Sequence, residues 1–374
     1  MAKLRVGLLF GGRSVEHEVS VVSATSVLQA LDPSRYEVTL IGVDQDGRWH
    51  LGSGGQLLSD VPDAPEEVLL PARPGEATLV PSEESPEATA RSLDVILPLI
   101  HGKGGEDGAL QGLLELADVP YVGSGVLSSA MQMDKDVAKR LLRDAGLPVA
   151  PWIVRRAHEL EGAGLDETIA ESEQTLGWPV FVKPANSGSS VGISPANGAG
   201  ELTTAIRDAL RYDRKILIEK GLDPREIEVA VLGNEHPEAS LPGEIRCTSA
   251  FYDYESKYHD DATELVIPAE LDEATTARLR EMAVAAYRAL DAEGLARVDF
   301  IIDRATGDIY VNELNSLPGF TDGSMYPKMW EATGLSYPVL LDRLIELAME
   351  RHHARGRLET SYRRPGPVDV SRSS

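Results

Sequence analysis

Short apolar runs alternate with helical spacing in the N-terminal third of the chain. The pattern predicts a strand at 6–10, a helix at 20–31, strands at 36–43 and 93–100, and a helix at 109–116. Gly11-Gly12 ends the first strand, and a glycine-rich segment at 101–108 follows the third. This alternation predicts an α/β unit with parallel strands.

The stretch at 53–92 interrupts this pattern. It carries prolines among many acidic residues, at Pro62, Pro65, Pro71, Pro74, Pro81 and Pro86. A composition of this kind resists a packed core. We therefore expect a partly mobile insertion.

The rest of the chain predicts two further units. The second has a predicted helix at 134–145, strands at 178–183 and 216–219, and a Gly/Ser loop at 187–192 that turns back into extended structure from Ile193. The third has predicted strands at 227–232, 296–302 and 309–314, and helices near 273–290 and 336–349. From about Gly356 the pattern disappears, which predicts a disordered tail.

Composition bounds the class of protein. The 374 residues, 42% hydrophobic and 26% charged, predict two or three soluble globular units. No apolar run approaches the ~20 residues of a membrane span, and the first apolar stretch is typical of a strand rather than a secretory signal. We therefore expect no membrane association and a cytoplasmic location. Cys247 is the only cysteine, which excludes an internal disulfide and a thiolate metal cluster.

Two function classes are disfavoured. The formal net charge of −24 would repel the phosphates of a nucleic acid, so no nucleic-acid partner is expected. The turn at 11–14 lacks G-x-G-x-x-G, and Asp44 lies well beyond the ~20 residues expected of a ribose-binding acid. Both features argue against a dinucleotide-binding oxidoreductase.

The two predicted strands at 296–302 and 309–314 form the strongest chemical signal. Side chains alternate along a strand, so a hairpin centred on Thr306 places Asp299 opposite Glu313 and Arg297 opposite Asn315. Two carboxylates and an amide oxygen suit Mg²⁺ completed by substrate phosphates. An ordinary cross-strand salt-bridge cluster is the alternative interpretation. The Pro-Gly turn at 318–319 favours the metal site, because such a turn can aim a backbone N–H at a reacting centre.

Three further segments offer ligand contacts. The 187–192 loop presents backbone N–H groups to phosphates beside Lys183, although a flexible hairpin tip has the same composition. Glu16 and Glu18 lie at a predicted helix start, where acids also simply complement the helix dipole. His101 follows a strand whose end should face the same crevice as the 11–14 turn, with a solvated turn histidine as the alternative. The tyrosine-rich stretch at 251–261 is either an edge strand or a loop that folds over a ligand, and we favour the loop.

Taken together, these segments resemble the D-alanine–D-alanine ligases of the ATP-grasp superfamily. The motifs are 11-GGRSVEHEVS-20, 101-HGKGGEDGALQG-112, 120-PYVGSGVLSSAMQMDK-135, 182-VKPANSGSSVGIS-194, 217-LIEK-220, 251-FYDYESKY-258, 297-RVDF-300 and 313-ELNSLPGFTDGSM-325. They run in family order across nearly the whole chain. Eight ordered matches are far more specific than any single motif.

The resemblance implies a fold of class α/β, with α+β character in the ATP-grasp part, arranged as three domains. The N-terminal α/β domain would span 1–123 with the insertion at 53–92, the central ATP-grasp domain 124–218, and the C-terminal ATP-grasp domain 219–355. A disordered tail would occupy 356–374. A homodimer is also implied.

The resemblance further implies ATP and Mg²⁺, with Mn²⁺ as an alternative metal. The metal ligands would be Asp299, Glu313 and Asn315. The residues that bind ATP would be Lys135, Lys183, Ser190, Glu219, Lys220, Leu222 and Glu226. At Gly221 the chain departs from relatives that have tryptophan beside the adenine. The resemblance therefore does not say which side chain would contact the adenine there.

The implied activity joins two D-alanines through a D-alanyl phosphate, for peptidoglycan precursor synthesis. The implied catalytic residues are Glu16, Ser189, Tyr258, Arg297 and Gly319, and the implied substrate-binding residues are His101, Lys257 and Ser324. Tyr258 indicates D-alanine as the acceptor. An ATP-grasp ligase that accepts D-serine or D-lactate is the nearest alternative, and a nucleotide-binding protein without turnover is a second.

Overall fold

The computed structural model describes residues 2–52, 58–75, 77–83, 85, 90–247 and 263–359. In the described residues, three β-sheets succeed one another along the chain, one in each of the three units predicted from the sequence. Among the described residues, no helix has the length and apolar character needed to cross a membrane.

The first sheet has the strand order β6-β5-β4-β3-β2-β1-β7. Its strands are β1 Leu4–Gly11, β2 Tyr36–Val43, β3 Trp49–Leu51, β4 Glu67–Leu69, β5 Thr78–Pro81, β6 Arg91–Ser92 and β7 Val95–Pro98. Helix α1 spans His17–Ala30 and α2 spans Ala109–Leu116. β1 pairs in parallel with both β2 and β7, which confirms the predicted parallel core.

The prediction that the insertion at 53–92 lacks a packed core is wrong for its described residues. β4, β5 and β6 extend the first sheet as antiparallel strands, and Val61, Val68 and Leu79 are fully buried against it. Val68 and Leu70 are buried on either side of the exposed Leu69, so alternate residues reach the sheet's core. Composition averaged over the stretch hid this local alternation.

The second sheet has the order β10-β9-β11-β8 and is antiparallel throughout. Its strands are β8 Trp152–Arg156, β9 Val180–Pro184, β10 Ser194–Ala196 and β11 Lys215–Lys220, accompanied by helices α3 Val126–Met133, α4 Lys135–Asp144, α5 Gly164–Thr175 and α6 Ala199–Ala209. Helix α4 begins where predicted, because Asp134 caps it by accepting a 3.1 Å hydrogen bond from the N–H of Val137. The predicted hairpin around 187–192 is confirmed by the pairing of β9 with β10.

The third sheet has the order β15-β14-β12-β16-β17, with β13 added beside β12. Its strands are β12 Pro224–Gly233, β13 Glu238–Ala239, β14 Gly243–Cys247, β15 Thr263–Val266, β16 Gly294–Asp303 and β17 Ile309–Asn315. The helices are α7 Glu273–Ala289, α8 Met325–Thr333 and α9 Tyr337–Gly356. α9 therefore runs a further two turns past the predicted end at 349, and most of the predicted tail, 360–374, lies outside the described residues.

Apolar packing joins the first unit to the third. Leu8 and Phe10 of β1 belong to the same buried cluster as Leu340 and Leu344 of α9. The second sheet keeps a separate core, centred on buried side chains such as Val182 and Ile218. The functional cleft lies where the second sheet faces the other two.

Candidate active site

A cleft of about 1960 Å³ lies between the three units, and its lining draws on all of them. β9 and β11 supply one wall, β12, β16 and β17 supply the other, and the loops after β1 and β7 close one end. Concave sites with convergent polar groups at unit boundaries are where substrates usually bind. The cleft is the candidate active site.

A buried cluster of two lysines and one glutamate forms the wall on the side of the second sheet. Glu219 of β11 contacts the ammonium group of Lys183 at 2.9 Å and that of Lys139 at 2.8 Å. Burial alone would raise the pKa of Glu219, but the two lysine charges outweigh burial and lower it to about 2. We call these three residues the lysine cluster. Lys139 was missed by the sequence analysis, because on α4 it resembles a solvated helix lysine.

The two lysines predicted to bind phosphates converge on adjacent residues of β17. Lys135 lies 3.3 Å from Glu313 and donates to the carbonyl oxygen of Ser187 at 2.7 Å. Lys183 donates to the Asn312 amide oxygen at 3.4 Å. Both ammonium groups therefore stand at the same part of the cleft, which sequence alone could not establish.

The loop between β9 and β10 has a strained backbone. Ser189 and Ser190 have φ of 47° and 59°, a region that non-glycine residues rarely adopt. Gly192 has φ of 75°, and a side chain there would meet Tyr212 and Pro184. Strain of this kind clusters at ligand-binding loops, so the loop fits a phosphate or substrate contact better than a flexible hairpin tip.

The predicted hairpin of β16 and β17 has the predicted register. Arg297 pairs with Asn315 and Asp299 with Glu313. A β-bulge follows, because Phe300 pairs with Val311 and leaves Asn312 as the extra residue of β17. The bulge turns Asn312 towards Lys183, which period-two alternation does not predict.

Arg297 is the centre of a second buried ion cluster. Its Nε and a terminal nitrogen each donate to one oxygen of Asp299 at 2.7 Å, and Glu228 of β12 lies 3.1 Å from the Nε. Asn315 also donates to Asp299, at 2.9 Å. Burial acts against the charge of Arg297, but the two carboxylates raise its pKa well above the ordinary value. We call Arg297, Asp299 and Glu228 the arginine cluster. Glu228 was missed because its strand carried no motif.

The predicted metal ligands lie side by side, and they fit a hard cation only when other ligands complete the set. Among the described residues, no three His, Cys, Asp or Glu side chains come together as a metal site. Asp299 and Glu313 face each other across the strands, and Asn315 joins them as an amide oxygen donor. Two carboxylates and an amide match the way Mg²⁺ is held when phosphates supply the remaining oxygens.

The end of the cleft nearest the first sheet is built around Glu16. This carboxylate is only 8% exposed and accepts a short hydrogen bond from the Ser189 hydroxyl, so two chain-distant motifs meet here. A side chain at Gly102 would come within 2.8 Å of its Oε2, which explains glycine at that position. Glu16 is thus more than a first-turn acid.

His101 is a buried residue and not a solvated turn histidine. Its ring nitrogens lie 3.2 Å from the Leu317 carbonyl oxygen and 3.3 Å from the Ser23 hydroxyl. Burial lowers the pKa of His101, and the nearby charge of Glu16 only partly opposes this. The His101 ring links Ser23 of α1 to the loop at 316–319.

Glu106 holds the same loop from the other side and was missed in the sequence. Its carboxyl accepts hydrogen bonds from the N–H groups of Gly102 at 2.6 Å and Leu317 at 3.0 Å. Burial, together with the charge of Glu16, raises the pKa of Glu106 to about 8. One carboxyl group therefore ties the loop after β7 to the loop after β17.

Gly319 and Ser324 lie at the far side of this loop. Ser324 precedes α8, accepts a 3.1 Å hydrogen bond from the N–H of Thr321, and would lie 3.2 Å from a side chain at Gly319. Both residues line the cleft, as does Arg297. Two hydrogen bonds between Thr321 and Ser324 hold the turn that follows Gly319.

The opposite end of the cleft contains the residues predicted to contact the adenosine. Lys220, Leu222 and Glu226 all line it. Gly221 leaves no room for a tryptophan, since a Cβ there would lie 2.7 Å from the carbonyl oxygen of Pro179. Phe181, directly opposite Glu219 in the sheet, supplies an aromatic side chain at this end instead.

Lys257, Tyr258 and the rest of the tyrosine-rich segment lie outside the described residues. Their predicted roles stay predictions.

Comparisons with known proteins agree with the motifs. The family model described as the D-ala D-ala ligase N-terminus matches residues 5–124, and the model described as the C-terminus of the same ligase matches residues 141–346. The chain is 48% identical to D-alanine–D-alanine ligase A of Chromobacterium violaceum, over 97% of this chain and 99% of that protein.

Solved structures show the same likeness. The D-alanine–D-alanine ligase from Coxiella burnetii superposes with a TM-score of 0.83 at 37% identity, covering 95% of this chain and 97% of that one. VanG, a D-Ala:D-Ser ligase from Enterococcus faecalis, gives 0.82 at 33% identity, covering 93% of this chain and 100% of that one. Two family models together match most of the chain, and a relative matches nearly all of it. The chain therefore belongs to the D-alanine–D-alanine ligase family.

Proposed function

We propose that this protein joins two D-alanine molecules into D-alanyl-D-alanine, with ATP converted to ADP and phosphate. The observation that carries the proposal is the contact of Glu16 with Ser189 at one end of the cleft that also holds the Asp299–Glu313 strand pair. This arrangement offers a carboxylate for an amino-acid ammonium group close to groups suited to a metal-bound polyphosphate.

The nucleotide would lie along the lysine wall. Lys135, Lys183 and the strained loop with Ser190 would contact its phosphates, while Lys220, Leu222 and Glu226 would border the adenosine and Phe181 its ring. Asp299, Glu313 and Asn315 would hold Mg²⁺, or Mn²⁺, which neutralises charge on the transferring phosphoryl group.

The first D-alanine would be held through its ammonium group by Glu16, with Ser189 and Tyr258 fixing that carboxylate and His101 beside it. One oxygen of the substrate carboxylate attacks the γ-phosphorus, the bond from that phosphorus to the β-bridging oxygen breaks, and ADP leaves. The product is a D-alanyl phosphate. We propose that Lys257 reaches this phosphate when its segment covers the cleft, which keeps water away.

The second D-alanine would bind through its carboxylate at Ser324. Its neutral amine attacks the acyl carbon, and the C–O bond to phosphate breaks after a tetrahedral intermediate. Arg297 and the N–H of Gly319 would stabilise the oxyanion of that intermediate. The attacking amine loses a proton and inorganic phosphate leaves.

The setting of this activity is also part of the proposal. A free D-alanyl-D-alanine product suits peptidoglycan precursor synthesis in the cytoplasm, and hence cell-wall formation and cell shape. We propose a homodimer, which sedimentation analysis tests, and domains at 1–123, 124–218 and 219–355, which limited proteolysis tests at the two junctions.

Acceptor competition tests the substrate. Phosphate release is measured with ATP, Mg²⁺ and D-alanine, alone or with equimolar D-serine or D-lactate, and products are identified by mass. D-alanyl-D-alanine as the main product in every mixture is expected. If D-alanyl-D-serine is the main product, the protein is instead a D-Ala:D-Ser ligase, the activity in the name of VanG. If no phosphate is released with D-alanine, the proposal is overturned.

A further inference from the structure

Lys139 is a buried cation directly behind the cleft wall, and the proposed reaction assigns it no role. It lies one helical turn after Lys135 on α4, yet it is only 2% exposed. Its ammonium group contacts one oxygen of Glu219 at 2.8 Å, while Lys183 contacts the other oxygen at 2.9 Å. One carboxylate is therefore shared by two lysines.

Charge balance explains why a second lysine matters. A buried pair of Glu219 and Lys183 alone would be neutral, and the attraction within the pair would hold Lys183 on the carboxylate. With Lys139 present, the lysine cluster carries one net positive charge. The Glu219 carboxylate stays balanced even when Lys183 turns towards another anion.

The surroundings of Lys139 favour this role over direct contact with a ligand. Its ammonium group also lies 5.7 Å from the centre of the Trp152 ring. Lys139 does not line the cleft, whereas Lys183 and Glu219 do. Its contact with Glu219, which in turn contacts Lys183, connects it to the cleft.

Another buried lysine of the same unit shows the contrast. Lys215 contacts Asp134 at 2.5 Å and Asp136 at 3.6 Å, so one cation there serves two acids. It lies outside the cleft lining. In the lysine cluster, by contrast, two cations share one acid, and two of these three residues line the cleft where an anion would be received.

We propose that Lys139 is a positioning residue that shares the charge of Glu219 and so frees Lys183 to bind the phosphates of a nucleoside triphosphate. The inference deepens the proposed function and rests on it for the identity of the nucleotide. It predicts that Lys139 affects the phosphate part of nucleotide binding and leaves the nucleoside part unchanged.

The test compares the dissociation constants of ATP and adenosine by calorimetry and competition, for the full chain and for Lys139→Met. The variant should bind ATP about tenfold more weakly, as expected for one lost charge-assisted contact, and adenosine within about twofold of the unmodified chain. Equal weakening of both ligands would show a merely structural role and overturn the proposal.

Two variants sharpen this result. Lys215→Met breaks a buried lysine–acid contact outside the cleft lining and should lower stability without changing the ratio of the two constants. Lys139→Gln keeps a polar side chain of similar length but loses the charge, so it should show the same fall in preference for ATP over adenosine as Lys139→Met. If Lys139→Met does not fold, an unchanged preference in Lys139→Gln overturns the proposal.

The outcome is separable from the proposed reaction. Failure of the unmodified chain to form D-alanyl-D-alanine would reject the reaction while leaving the binding ratio measurable. Normal product formation with equal weakening of both ligands in Lys139→Met would reject only the role of Lys139.

Discussion

The two walls of the cleft carry buried ion clusters of opposite balance. The lysine cluster sets Lys139 and Lys183 against Glu219, whereas the arginine cluster sets Arg297 against Asp299 and Glu228. One wall therefore has an excess cation and the other an excess anion. A metal-bound polyphosphate presents both signs of charge, and each wall suits one part of it.

The clusters also differ in how they are assembled. Arg297 and Asp299 are two residues apart on β16, and their bidentate contact follows from the strand itself. Lys139 and Glu219 lie on a helix and a strand far apart in the chain. Strand alternation predicts the first kind of cluster, and only packing creates the second.

Removing the charge of Glu313 should give the largest effect. Glu313→Gln weakens the anionic wall where the metal would be held, so kcat should fall on the order of 10³-fold, about 4 kcal/mol of activation free energy. Turnover is measured over a Mg²⁺ titration. Asp303→Asn, at the other end of the same hairpin, is the matched control and should stay near normal. Near-normal activity of Glu313→Gln would remove Glu313 from the metal site.

Replacing the centre of the arginine cluster should have the next largest effect. Arg297→Lys keeps a charge but loses the two-pronged contact with Asp299, so kcat should fall about 10²-fold while the KM for ATP changes little. Steady-state kinetics with both substrates varied separates these constants. A rise in KM for ATP with unchanged kcat would place Arg297 in ground-state binding only.

These two predictions rest on residues that the sequence identified. Alternation along β16 and β17 predicted the register of Arg297 with Asn315, because the period of a strand is fixed at two. The bulge at Asn312 escaped that reasoning, since it breaks the period. Glu106 and Glu228 escaped too, because their partners come from other strands and loops.

For the 53–92 stretch, the sequence predicted too little structure. Its prolines and acids predicted a stretch without a core, but Val68 and Leu79 pack into the first sheet. Edge strands need only a few buried positions, and proline is tolerated at their ends. Average composition is a poor guide to such short strands.

The substrate end should respond more mildly than either wall. Glu16→Gln removes the charge that would hold an ammonium group, so the KM for the first D-alanine should rise about tenfold while the KM for ATP stays constant. Glu18→Gln, an exposed acid on the same first turn, provides the comparison and should change neither constant. Equal increases of the KM for D-alanine in both variants would indicate that Glu16, like Glu18, only complements the helix dipole.

The smallest effect on turnover is expected from Glu106, whose contribution should appear instead in the pH dependence of stability. The folded-state pKa of Glu106 is about 8, above its ordinary value of 4.5, so its proton is held by the folded chain. Stability from this group is fully present below about pH 4.5 and is lost as the pH rises towards 8, with a slope of at most about 1.4 kcal/mol per pH unit.

Denaturant unfolding of the unmodified chain and of Glu106→Gln between pH 5 and 8.5 isolates this contribution. The free energy of unfolding of the unmodified chain should fall relative to that of the variant as the pH rises. Parallel curves would show that Glu106 already carries a charge at neutral pH.

The acyl phosphate is the central claim, and isotope transfer tests it most directly. D-Alanine labelled with ¹⁸O in both carboxylate oxygens is incubated with ATP, Mg²⁺ and the protein. The ¹⁸O content of the released phosphate is then measured by mass spectrometry. One ¹⁸O in the phosphate for each dipeptide formed is the predicted result. Dipeptide accompanied by unlabelled phosphate would contradict a D-alanyl phosphate and the roles given to both walls.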